Sequence, residues 1–295
     1  MAGGKAGGAP AGEEAAPTVN PLSSSPGEGY SVATWRLVRT PGADGATNMA
    51  VDEAILGAVA SGEAPPTLRL YAWGPPALSL GRGQAVEDVD REAVEGAGYD
   101  LVRRPTGGRA ILHIDELTYS VTAPEREPRV RGGVVESYRR LSRGLVRALA
   151  LLGVEEIVAD ERAENRDSEG PVCFEVPSDY EITVGGRKLV GSAQMRARGG
   201  VLQHGTVPLY GDIARICPLL SGRPDPARVR ARATTVSRAL ERHVGWEEAA
   251  EALAQGFAEA LTLRLEAGEV TNGERARAQE LRAEKYGTRE WTASI

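Results

Sequence analysis

The sequence is poor in the residues that build disulfide frameworks and metal centres: its 295 residues include two cysteines, Cys173 and Cys217, and three histidines. The cysteines are 44 positions apart and form no CxxC pair, so neither a disulfide scaffold nor a structural zinc is expected, and no metal site is assigned. No apolar run approaches the roughly 20 residues that span a bilayer. The first residues also lack the Arg-rich or apolar pattern of a targeting segment. The expectation is a soluble, cytoplasmic protein with reduced thiols and no membrane partner. Positive charge is in deficit: 35 Lys and Arg stand against 41 Asp and Glu, a net charge of −6. That balance excludes a nucleic-acid footprint over the whole surface. Large apolar side chains are almost missing from residues 1–30, where Gly, Ala, Pro, Ser and Glu dominate, and a disordered tail is predicted there.

What remains is globular in composition, with 41% hydrophobic and 26% charged residues. It is long enough for one catalytic-sized domain over 31–295 that buries its own core as a monomer. Met49, Val51, Ile55, Leu56 and Val59 recur at helical spacing after Thr47, read as the cap of a first helix. TLRLYAW (67–73), ALSLG (77–81), YDLVRR (99–104), RAILH (109–113) and LTYSVT (117–122) read as strands between Gly and Pro turns. Val135, Tyr138, Leu141, Leu145, Leu149 and Leu152 mark a second helix ending at Gly153. DYEITV and RKLVGSAQ flank Gly185 and Gly186 as a tight hairpin, and GTVPLY (205–210) adds a strand. A third helix follows from Trp246 to Leu261, and a fourth over 274–286. The fold class is α/β (α+β), with a mixed sheet flanked by helices.

Three segments carry residues fit for chemistry. Cys173 lies in GPVCFEVPSDYEI, between a charged stretch read as a surface loop (160–170) and a predicted strand; position alone leaves it open between a core thiol and a nucleophile. Cys217 sits among Ile213, Ile216, Leu219 and Leu220 and reads as a core thiol. Lys188, just past the Gly185–Gly186 turn, is the candidate basic partner for Cys173. Its setting in GRKLVGSAQ places the small residues Gly191, Ser192 and Ala193 where a ligand could approach the backbone. In RRPTGGRAILH, Gly107 and Gly108 expose backbone amides, and Arg103 and Arg104 are candidates for an anionic group. The segment lacks the GK[ST] ending of a phosphate loop. His113, and His204 beside Gly205, are open between structural and catalytic roles.

Taken in order, RRPTGGRAILH, CFEVPSDYEI, GRKLVGSAQ, LQHGTV and RATTV resemble the lipoate and octanoate attachment family, whose fold is shared with biotin protein ligases. NMAVDEA (48–54) and EKYGTREW (284–291) extend the resemblance from Trp35 to Trp291. A cysteine ahead of the motif lysine is similar to the octanoyltransferases of LipM type. The resemblance implies that Arg103, Gly107, Gly108 and His113 line an acyl pocket, Lys188 contacts the acyl carbonyl and Cys173 holds the acyl group. It also implies octanoyl-acyl carrier protein as donor and the glycine cleavage H protein, or another lipoyl domain, as acceptor. No cofactor and no ATP are needed in that scheme. Burying seven methylene and methyl groups at about 0.8 kcal/mol each gives on the order of 5 kcal/mol of chain binding. The competing readings are an ATP-dependent ligase, an amidotransferase between lipoyl domains, and a binding module without catalysis. Two departures stand out: His113 is followed by Ile114 before Asp115, and Arg109 occupies a position where ligases tend to have a third glycine.

Overall fold

The computed structural model describes residues 29–160 and 181–295. All but the last two residues of the expected tail lie outside them, as does Cys173. Eleven strands form two sheets among the described residues. The larger has the order β11-β1-β2-β6-β10-β9-β8-β7, comprising β1 (Ala33–Ala43), β2 (Thr67–Trp73), β6 (Glu116–Pro124), β7 (Ile157–Asp160), β8 (Glu181–Val184), β9 (Arg187–Ala197), β10 (Gly200–Pro208) and β11 (Leu263–Gly268). The smaller has the order β4-β3-β5, from β3 (Ala77–Leu80), β4 (Asp100–Arg103) and β5 (Ile111–His113). Parallel pairs (β11–β1, β1–β2, β3–β4) and antiparallel pairs coexist, so the sheets are mixed as predicted. The expected mixed sheet flanked by helices is the eight-stranded one, and a second, three-stranded sheet accompanies it.

The helices follow the apolar periodicity. Helix α3 (Val134–Leu151) packs against α6 (Trp246–Leu261) over the larger sheet, where Leu141, Leu145, Leu149, Leu253 and Phe257 join Trp35, Leu68 and Tyr119 in the main core. The two helix backbones nearly touch: a Cβ on Gly256 would lie 2.5 Å from the Ala148 nitrogen, and one on Gly144 would lie 2.9 Å from the Phe257 ring. Helix α1 (Gly45–Ser61) meets both sheets and packs on α7 (Asn272–Leu281) through Met49, Ala50, Ala54, Ala278 and Leu281. Its cap is Asp44, whose carboxylate accepts from the Thr47 amide at 2.7 Å, which corrects the reading of Thr47 as cap. Shorter helices α2 (Arg91–Gly96), α4 (Pro226–Arg232), α5 (Val236–Leu240) and α8 (Arg289–Thr292) complete the chain, and the fourth predicted helix is α7 followed by a π-turn over Arg282–Tyr286. Gly185 (φ 53°) and Gly186 (φ 72°) both take the left-handed conformation that a two-residue hairpin requires. No described helix is long and apolar enough to cross a membrane.

Candidate active site

Residues of both sheets and of α1 line one cleft. Its walls are Met49 from α1, Tyr71 and Trp73 from β2, Arg104, Gly107 and Gly108 from the loop after β4, His113 from β5, Gly191, Ser192 and Ala193 from β9, and His204, Gly205 and Thr206 from β10. Nine of the ten residues expected to bind substrate therefore meet in one place. Gly205 allows the close approach of β9: a Cβ there would lie 2.5 Å from both the Gly191 carbonyl and the Ser192 hydroxyl.

The glycine loop is wrapped around a buried guanidinium. Arg104 donates to the carbonyls of Gly107 (2.8 Å), Arg109 (2.8 Å) and Ser79 (3.0 Å) and to the Ser79 hydroxyl (3.1 Å). With these carbonyls turned to Arg104, the amides of Gly107 and Gly108 donate to no backbone acceptor among the described residues. A loop of this kind offers N–H donors to a carbonyl oxygen placed in the cleft.

The two histidines of the cleft are each fixed by two hydrogen-bond partners. His204 Nδ1 lies 3.2 Å from Asp52 Oδ2 and Nε2 lies 2.7 Å from the Thr106 hydroxyl. Burial holds the His204 pKa below its ordinary value against the opposing pull of Asp52, so the ring is neutral; Nδ1–H donates to the carboxylate and Nε2 accepts from Thr106. Asp52 also accepts from Arg69 (2.8 Å), Ser120 (2.9 Å) and Tyr71 (3.0 Å). Burial alone would raise its pKa; Arg69 and His204 reverse the effect and hold it low. His113 stacks on Trp73 at 3.9 Å, with Nε2 at 2.8 Å from Ser79 and Nδ1 at 2.8 Å from Glu116. Burial pushes the Tyr119 phenol up to about 12; it accepts from Gln203 and shares a hydrogen bond with Ser192 Oγ at 2.7 Å, anchoring the β9 wall.

Lys188 is buried with Glu181, its Nζ 2.9 Å from Oε1. A bulge sets its direction. Ile182 pairs with Val190 and Thr183 with Lys188, so Leu189 is an extra residue in β9. Leu189 and Val190 both enter the main core, which returns Lys188 to the sheet face shared by Gly191 and Ala193. Strands β7 and β8 pair up to Asp160–Glu181, the two described residues that flank Cys173 in the sequence.

Arg103 is placed elsewhere: its guanidinium reaches the carbonyls of Gly81, Gln84 and Thr292 and does not line the cleft. Cys217 is buried with Ile216, Leu219 and Leu220 in a separate apolar cluster. Asp115 lies in the turn between β5 and β6, paired with Arg215 at 2.7 Å. The sequence reading missed Asp52, Trp73, Thr106, Glu116 and Glu181. The signal for Asp52 was its position four residues after Asn48, two polar side chains on the apolar stripe of α1. Glu181 carried none beyond its place in the strand before the hairpin.

Over residues 44–258 the chain matches the family described as the lipoyl protein ligase A/B catalytic domain. With the cleft and its glycine loop on the same segment, the chain belongs to that family. Among its relatives, a protein of Kyrpidia tusciae named Octanoyltransferase LipM is 48% identical over 269 residues, covering 88% of this chain and 98% of the relative. One of the same name from Symbiobacterium thermophilum is 47% identical, over 87% of this chain and 97% of the relative. Among solved structures, a lipoate-protein ligase A bound with ATP superposes with a TM-score of 0.73 at 26% identity, covering 89% of this chain and 99% of that one. A bi-partite lipoate protein ligase from Thermoplasma acidophilum gives a TM-score of 0.72 at 26% identity, over 90% and 98% of the two chains.

Proposed function

We propose that this protein is an octanoyltransferase of lipoate biosynthesis, acting through one catalytic domain over 31–295. The observation that carries the reading is the cleft itself. It brings together the glycine loop, the Trp73–His113 stack and the small residues of β9, and Lys188 shares the sheet face of Gly191. The donor is octanoyl-acyl carrier protein and the acceptor a lysine of the glycine cleavage H protein or another lipoyl domain. The Cys173 thiolate attacks the carrier thioester carbonyl, a new C–S bond forms, and the carrier thiol leaves. The acceptor amine then attacks the enzyme thioester; the C–N bond forms, the C–S bond breaks, and the amine proton passes to the departing cysteine or to solvent. In both steps the Gly107 and Gly108 amides and Lys188 stabilise charge on the carbonyl oxygen, and Glu181 holds Lys188 in place. Cys173 lies eight positions before Glu181 in the sequence, a maximum reach of about 28 Å, long enough for the thiol to come to this face.

The test is a transfer assay with purified octanoyl-acyl carrier protein and H protein, without ATP. The reading predicts octanoyl amide on the H protein. Transfer that starts only when free octanoate and ATP are supplied would overturn it in favour of a ligase.

A further inference from the structure

Arg103 is buried to 0% exposure, yet it faces away from the cleft and is satisfied by backbone oxygens. Nη1 donates to the carbonyls of Gly81 (2.7 Å) and Gln84 (2.6 Å), while Nε and Nη2 both donate to the Thr292 carbonyl (3.0 and 2.8 Å). The contact is reciprocal: the indole N–H of Trp291 donates to the Arg103 carbonyl at 2.8 Å. Arg82, in the same loop as Gly81, stacks over the Trp291 ring at 4.5 Å and donates to the Ser294 hydroxyl at 3.1 Å. Helix α8 and the residues after it are thus fastened to one short loop, 81–84, through the guanidiniums of Arg103 and Arg82.

That loop rests on the glycine loop of the cleft. The Arg82 amide donates to the Thr106 carbonyl at 2.7 Å, and Gly81 packs so closely that a Cβ there would lie 1.8 Å from the Gly108 oxygen. Backbone meets backbone with no side chain between, so a shift of 81–84 is a shift of 106–108. Thr106 is the residue that His204 fixes from the opposite side. Besides the Arg104 guanidinium at its centre, the glycine loop is therefore held at two outer points, one through Asp52 and His204, the other through Arg103 and α8.

We infer that Arg103 is a positioning residue, through which the segment 288–294 sets the Gly107–Gly108 amides in their working orientation. Its role in the reaction rests on the octanoyltransferase reading; the mechanical coupling does not. A charged donor gathering carbonyls in a fixed fork is a task that lysine cannot take over, because one ammonium cannot span Gly81, Gln84 and Thr292 together. Losing one such charge-assisted bond at the loop is worth on the order of tenfold to a hundredfold in rate.

Two full-length variants test this, Arg103→Lys and Trp291→Phe, the second keeping an aromatic ring while losing the N–H to Arg103 and part of the ring surface under Arg82. For each, kcat and KM for octanoyl transfer are measured, and amide hydrogen exchange is followed by mass spectrometry. The inference predicts that kcat falls at least tenfold in Arg103→Lys and by a smaller factor in Trp291→Phe, with KM changed less than threefold. Exchange accelerates in peptides covering 81–84 and 105–109, while peptides of α3 and α6 stay protected. If Arg103→Lys does not fold, Trp291→Phe decides alone. Unchanged exchange at 105–109 in a folded Trp291→Phe overturns the coupling, and a KM effect without a kcat effect overturns the positioning role. A wild type that transfers no octanoyl would refute the functional reading and leave the exchange result to stand for or against the coupling.

Discussion

Replacing His204 by asparagine separates a pH-dependent contribution to stability from everything else in the protein. His204 is buried, and burial depresses its pKa from the ordinary 6.5, with Asp52 opposing and Arg104 and His113 reinforcing the shift. Below pH 6.5 the unfolded chain therefore binds a proton at this site that the folded chain resists, so stability falls as pH falls, by at most about 1.4 kcal/mol per pH unit. The loss ends only when pH has dropped through the folded-state pKa. Asparagine keeps an N–H near Asp52 and cannot titrate. At pH 7.5 the variant is less stable by about 1–3 kcal/mol, because the buried Thr106 hydroxyl loses its acceptor. Toward pH 5 the gap between the two proteins narrows by up to about 2 kcal/mol. Other titrating groups are common to both chains and cancel in the difference. The assay is urea unfolding at a series of pH values with equal slopes required of both proteins. A stability gap that stays constant from pH 5 to pH 7.5 would refute the assignment of a neutral, Asp52-oriented His204.

The remaining predictions concern the walls of the cleft and its lysine. Gly205→Ala forces a methyl to within 2.5 Å of Gly191 and Ser192; chemical denaturation should show a loss of about 1–3 kcal/mol, together with weaker binding of an octanoyl analogue in calorimetry. Asp52→Ala leaves Arg69 buried without its carboxylate and should cost about 3–5 kcal/mol, read as a lower melting temperature. Trp73→Ala removes a side chain that lines both the cleft and a neighbouring groove bounded by Pro76, Leu209, Tyr210 and Trp246; competition between octanoyl and dodecanoyl donors should shift toward the longer chain. Glu181→Gln removes the charge partner of Lys188 without removing volume, and steady-state assays should show transfer slowed at least about tenfold while the fold persists.

How much of this was legible in the sequence depended on whether a residue's role was local. The hairpin at Gly185–Gly186 and the helix stop at Gly153 needed only positive φ angles, and all three glycines adopt them. The glycine loop and the small residues after Lys188 were legible as places where backbone lies bare. Strand β11 escaped notice because it is a six-residue edge strand whose Arg264 and Glu266 face outward. Arg103 and Arg104 are adjacent and chemically alike, yet strand alternation sends one to the 81–84 loop and the other into the glycine loop. Asp52 with Arg69, and Glu181 with Lys188, are pairings across elements that no spacing rule anticipates. The same is true of the division into two sheets, which depends on which strands pair and not on which residues form strands.

The central claim, that octanoyl passes through Cys173, is tested most directly by mass spectrometry of the protein after incubation with octanoyl-acyl carrier protein in the absence of ATP and acceptor. The account predicts one octanoyl group per chain, located on the Cys173 peptide, removed by hydroxylamine and absent from Cys173→Ala. An octanoyl group found undiminished in Cys173→Ala, or no adduct on a wild type that still transfers octanoyl, would contradict it.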